Sequence, residues 1–131
     1  CAAMQVSLHL IEPLGFKLED RYLKRAGLDY WPHVDMTVWP GLDAYLRNAG
    51  AGRRLVLTSA RRGVALHRFA FTENDSLVFG RETSGLPPEV IALSPHHVRI
   101  PIKGEVRSIN LSTAAGIVLF QALASAGMVG E

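Results

Sequence analysis

The sequence predicts an α/β domain built on a mainly parallel sheet, with helices on both faces. Three observations carry that prediction. Short apolar runs alternate with helical patterns along the chain. Most of these runs stop at glycine- or proline-marked turns. No internal repeat, low-complexity segment or linker breaks the alternation, and the 131 residues suit one domain, 1–131, able to bury a real core.

Taken in order, residues 6–11 form an apolar run before Glu12-Pro13-Leu14-Gly15, the pattern of a buried strand closed by a turn. Residues 18–26 read as a short helix with Gly27 as its C-cap; Tyr22, Leu23 and Ala26 share one face. A strand over 34–38 ends at Trp39-Pro40-Gly41, and a helix over 42–49 ends at Gly50. Residues 55–58 give a third strand. Residues 59–70 read as a loop with a weak helical turn, since Arg61-Arg62-Gly63 interrupts any pattern. A strand over 77–79 precedes Pro87-Pro88, placed where the first turn of a helix tolerates proline, and 89–93 continues that helix. A fifth strand spans 98–102, and the longest helix runs from 110 to 126 and stops at Gly127.

Composition narrows the function classes. The net charge is only +2, which permits a nucleic-acid partner without arguing for one. Arg21, Lys24 and Arg25 form one basic group; Arg53, Arg54, Arg61, Arg62 and Arg68 form a looser one, and either can be a solvated face. The single cysteine, Cys1, allows no intramolecular disulfide and fits a reducing compartment. No apolar run approaches the length of a membrane span, and the first ten residues lack the pattern of a signal peptide. Starting at Cys1-Ala2-Ala3 without methionine, the chain is expected to be a fragment.

The stretch 77–123 holds three loops close together, where open α/β sheets place ligands. The run from Gly80 to Gly85 follows a strand, and its glycines let backbone N–H groups approach a ligand. It is neither a P-loop nor a dinucleotide fingerprint, and taken alone it reads first as a tight structural turn. Asn110 or Ser112 can cap the long helix; a cap does not explain Arg107, whose charge the helix dipole disfavours there, so an anion partner is an open alternative. The five histidines show no metal-ligand spacing and read as surface or packing residues. Glu73 and Asp75 read as turn residues.

Four blocks in order, LHLIEPLGF (8–16), LKRAGLDYW (23–31), LVFGRETSGLP (77–87) and IPIKGEVRSINLSTAAGIVLFQAL (100–123), resemble the SPOUT-class RNA 2′-O-ribose methyltransferases. The nearest subgroup is the TrmL (YibK-like) tRNA (cytidine/uridine-34-2′-O)-methyltransferases. The resemblance implies a deep C-terminal trefoil knot, an exception to the unknotted rule. It implies S-adenosylmethionine bound in the knot, yielding S-adenosylhomocysteine, with Leu57, Gly80, Ile100 and Ser108 as cofactor-binding positions. Glu82, Gly85, Ile102 and Leu111 would line the same site. Arg107 would position the RNA and Asn110 orient the ribose; no metal is implied. A cytoplasmic homodimer through the knot and the last helix would bind tRNA across both subunits, without a membrane. Alternatives are another tRNA or rRNA position, or a catalytically silent RNA-binding or dimerisation module. Two departures stand out: the family's N-terminal strand and helix, with an Asn-x-Gly-Asn-x-x-Arg type motif, precede the point where this chain starts, and Phe120 stands where related sequences often carry tyrosine.

Overall fold

A computed structural model describes residues 6–11, 35–59, 62–80, 85–102 and 111–129. The chain divides into two compact units, Cys1–Ala51 and Gly52–Glu131. The helix expected over 18–26, with Gly27 as its cap, lies outside the described residues.

In the first unit β1 (Leu8–Ile11) and β2 (Met36–Trp39) pair in parallel, Leu8 opposite Met36 and Ile11 opposite Trp39. Both strands start two residues later than the apolar runs suggest. Below the ladder the Ser7 hydroxyl donates to the Asp35 carboxylate at 2.6 Å, and the Leu8 N–H donates to the Asp35 carbonyl at 2.7 Å. At the other end the strand extends through Trp39, whose indole N–H donates to His9 Nδ1 at 3.0 Å. An indole nitrogen can only donate, so His9 carries its proton on Nε2. Helix α1 (Leu42–Arg47) is shorter than expected. Asn48 ends it: the side-chain amide donates back to the Ala44 carbonyl at 2.7 Å, and the N–H groups of Asn48 and Gly50 both bond the Tyr45 carbonyl. Tyr45 is buried and packs its ring against His9 at a tilt of 59°, ring centroids 4.9 Å apart. Gly50 permits this, because a Cβ there would lie 2.5 Å from the tyrosine ring.

The second unit carries a four-stranded, all-parallel sheet: β3 (Arg54–Thr58), β4 (Val64–Ala65), β5 (Asp75–Val78) and β6 (His97–Arg99), in spatial order β4-β6-β3-β5. The segment 59–70, expected as a loop, contains β4 and a 3-10 turn over Leu66–Arg68. Gly63 makes this pairing possible: its φ is +95°, and a Cβ would stand 2.2 Å from the His97 carbonyl oxygen. A two-residue strand has no periodicity to read, so nothing local announces it.

Two helices accompany this sheet among the described residues. Helix α2 (Pro88–Ile91) is a single turn started by Pro88 after an extended Pro87, and Leu93 beyond it is exposed. Helix α3 (Leu111–Ser125) ends in a Schellman motif: Met128 N–H bonds the Leu123 carbonyl, Gly127 N–H bonds that of Ala124, and Gly127 has φ +73°. Val56, Leu66, Phe71, Val98, Val118 and Ala122 form one buried cluster, with Phe69, Leu77, Phe79 and Ile100 packed on it. Each such aliphatic side chain removed from water contributes roughly 1.5–3 kcal/mol before entropy is counted. The Ser125 hydroxyl ties the end of α3 to Phe71, accepting from its N–H at 3.0 Å.

Candidate functional site

Parallel register decides which residues meet. Leu57 of β3 stands opposite Val78 of β5 and His97 of β6, so the C-terminal ends of the three strands emerge side by side with β3 in the middle. Leu57 is fully buried yet stands outside the cluster under α3. Gly80 comes two residues after β5 and Ile100 directly after β6. Three positions far apart in sequence, Leu57, Gly80 and Ile100, are thus gathered at one edge of the sheet.

The edge is held rigid. Thr58 Oγ1 donates to the Val78 carbonyl at 2.9 Å, and the Ser59 N–H donates to the Val98 carbonyl at 2.9 Å. The ends of the glycine loop close on themselves: a Cβ on Gly80 would sit 2.2 Å from the carbonyl carbon of Gly85 and 2.4 Å from Leu86 N. Gly85 itself has φ +67°. Thr58 escaped attention in the sequence; its signal was position, a hydroxyl at the last residue of an apolar strand.

Of the lining residues expected around this edge, Ile102 and Leu111 are half-buried and Gly85 is exposed. Ser108, Arg107, Asn110 and Glu82 lie outside the described residues. Two of the histidines have local structural contacts: the ring of His96 meets Phe69 edge-on, and His97 Nε2 lies 2.9 Å from the Ser94 carbonyl. Ser94, buried, donates to the Leu55 carbonyl at 2.7 Å and accepts from His96 N–H. Among the described residues no group of His, Cys, Asp and Glu could hold a metal ion.

The described arginines of the second unit separate into two kinds. Arg53 and Arg54 lie at the opposite, N-terminal end of the sheet and are engaged. Arg53 reaches the Ser76 hydroxyl and the carbonyls of Glu73 and Asp75. Arg54 grips Asp75 with two bonds of 2.7 and 2.8 Å, adds the Ala70 carbonyl, and lies over the Phe69 ring. Burial pushes the Asp75 carboxyl up, but the bonds from Arg54 and Thr72 outweigh it and hold the group below the usual carboxylate range. The Asp75 bond conversely raises the Arg54 guanidinium. Arg62, Arg68 and Arg99 make no such pairs among the described residues.

The family described as SpoU rRNA Methylase matches residues 1–120. The tRNA (cytidine(34)-2′-O)-methyltransferase of Methylovorus glucosotrophus is 44% identical over 124 residues, spanning 93% of this chain and 80% of that protein. A solved structure described as giving insights into the 2-OH methylation of C/U34 on tRNA is 45% identical with a TM-score of 0.87, covering 95% of this chain and 81% of its own. The AdoMet-bound rRNA methyltransferase from Sinorhizobium meliloti is 25% identical with a TM-score of 0.80, covering 98% of this chain and 49% of its own.

Proposed function

The chain belongs to the SpoU rRNA methylase family, and from that premise we propose that it methylates the ribose 2′-hydroxyl of nucleotide 34, cytidine or uridine, in tRNA. S-adenosylmethionine is the methyl donor and S-adenosylhomocysteine the product. The observation that carries this reading is the near-whole-chain likeness to the structure concerned with C/U34 methylation.

The geometry supports it. The cofactor would be held by Leu57, Gly80 and Ile100 at the shared strand edge, together with Ser108. Backbone groups at strand ends suit adenine and ribose, and a site without a Cβ at Gly80 lets the two ends of the loop approach each other. Bound there, S-adenosylmethionine supplies a methyl group already activated by its sulfonium. This chain's part would be to hold the 2′-hydroxyl in line with that methyl group, keep water out and give the hydroxyl proton a path to a base. Arg107 would hold the RNA, since a guanidinium stays charged and is not that base; Asn110 would orient the ribose. The knot expected of the family fits a sheet in which β6, late in the chain, lies between β3 and β4.

Both units act as one catalytic domain in this reading, in a cytoplasmic homodimer that seats tRNA across two subunits. Among the described residues no helix is long and apolar enough to cross a membrane. The test is transfer of tritium from methyl-labelled S-adenosylmethionine into a bulk tRNA pool, followed by mapping of the labelled nucleotide. Label at ribose 34 is expected. Label at another tRNA or rRNA position would move the substrate, and no label in any RNA would leave a silent RNA-binding module.

A further inference from the structure

We propose that Arg99 anchors a phosphate of the RNA substrate beside the strand edge where methyl transfer takes place. The inference deepens the reading above and rests on it. Arg99 is the last residue of β6. Its neighbour Val98 is fully buried in the cluster under α3, so strand alternation turns Arg99 to the opposite face of the sheet. Leu57 is in register with His97, two residues before Arg99, so Leu57, His97 and Arg99 share that face. Arg99 stands one pleat nearer the C-terminal ends, next to Ile100 and level with the rim where Leu57 and Gly80 converge.

Its surroundings leave the guanidinium available. Across the register Arg99 faces Ala65 of β4, whose methyl group is too short to cover it. Arg99 is half-buried, and among the described residues nothing pairs with it, in contrast to Arg53 and Arg54. A rigid strand therefore fixes the stem of an unneutralised fork of donors, which matches a phosphate in two bonds. The cofactor's own carboxylate has similar chemistry. A polyanion is favoured because Arg62, two residues before β4, and Arg68, at the end of the 3-10 turn that follows it, are also exposed and unpaired among the described residues. Several unpaired cations on and around the neighbouring strands β6 and β4 suit successive phosphates better than one small anion.

The experiment compares the full chain with Arg99→Gln and Arg99→Lys. It measures the KM for tRNA, kcat, tRNA binding as a function of salt, and S-adenosylhomocysteine affinity by titration calorimetry. For Arg99→Gln the expected result is a KM and a Kd for tRNA about tenfold higher, and a log–log salt slope reduced by about 0.7–0.9, the value of one phosphate contact. kcat at saturating tRNA and cofactor affinity should stay within about twofold of the parent. Arg99→Lys keeps the charge and should restore the slope but only part of the affinity. An unchanged tRNA Kd and slope would overturn the proposal. So would loss of S-adenosylhomocysteine binding with tRNA binding intact, which assigns Arg99 to the cofactor. Failure of the broader reading is separate: it appears as absent methylation by the unsubstituted chain.

Discussion

Asp75 shows how one residue can satisfy a local signal and a distant one. Its carboxylate accepts from Thr72 N–H at 2.8 Å and from the Thr72 hydroxyl at 2.9 Å, which is the turn role its neighbours in sequence suggest. The same side chain, 3% exposed, also takes both prongs of Arg54 across the β3–β5 pair. Removing the carboxylate leaves Arg54, 31% exposed, with a weaker partner, so Asp75→Asn should destabilise the fold by roughly 1–2 kcal/mol near neutral pH. The folded-state value lies below the unfolded one, so this contribution is complete above about pH 4 and is lost as pH falls through the lowered value. Urea unfolding of parent and variant should therefore converge in acid; a gap that stayed constant down to pH 2 would refute the assignment. At Gly80 the question is space. A methyl group there meets the Gly85 carbonyl carbon at 2.2 Å, both atoms belonging to backbone. Gly80→Ala should lower S-adenosylhomocysteine affinity by about tenfold or more, measured by calorimetry. Gly41→Ala, with nothing within 4 Å of the added carbon, should leave that affinity unchanged.

Elements in this protein are set by their ends more than by their middles. Helix α3 is apolar on several sides, so periodicity says little about its limits; the Schellman bonds at Gly127 do. Gly127→Ala should cost about 1 kcal/mol, from strain at φ +73° alone, since nothing crowds the new carbon. Gly63→Ala faces both a φ of +95° and a collision with the His97 backbone. Its thermal midpoint should fall further than that of Gly127→Ala, and amide exchange should quicken at Val64, Ala65 and Arg99, which pair across β4 and β6. Equal losses for the two variants would mean that the β4–β6 contact adds little to the sheet.

At the scale of the whole molecule the exposed side of α3 is the feature that asks for a partner. Ile117 is 42% exposed and Phe120 50%, while Val118 and Ala122 on the same helix are buried. With Val118 and Ala122 already packed, Ile117 and Phe120 give this helix more apolar surface than one packed face needs. Ile117→Asp with Phe120→Asp should convert a dimer to monomers in sedimentation equilibrium and abolish methyl transfer. A parent protein that sediments as a monomer at micromolar concentration would remove the dimer from the proposal.

Much was legible in the residues themselves. Among the described residues, five of the six strands, both α-helices of the second unit and the short α1 follow from apolar runs and from proline, glycine and asparagine chemistry, which act within a few residues. The four blocks of family likeness likewise need only the order of residues. What the sequence could not determine is set by pairing across the chain. The order β4-β6-β3-β5, the existence of β4, the bond between Arg54 and Asp75 and the gathering of Leu57, Gly80 and Ile100 all depend on register between segments 20 to 40 residues apart. Which of the described arginines in the second unit are engaged follows from that register too. A guanidinium is the same group in every case, and only its neighbours in space decide whether it neutralises a carboxylate or waits for a phosphate.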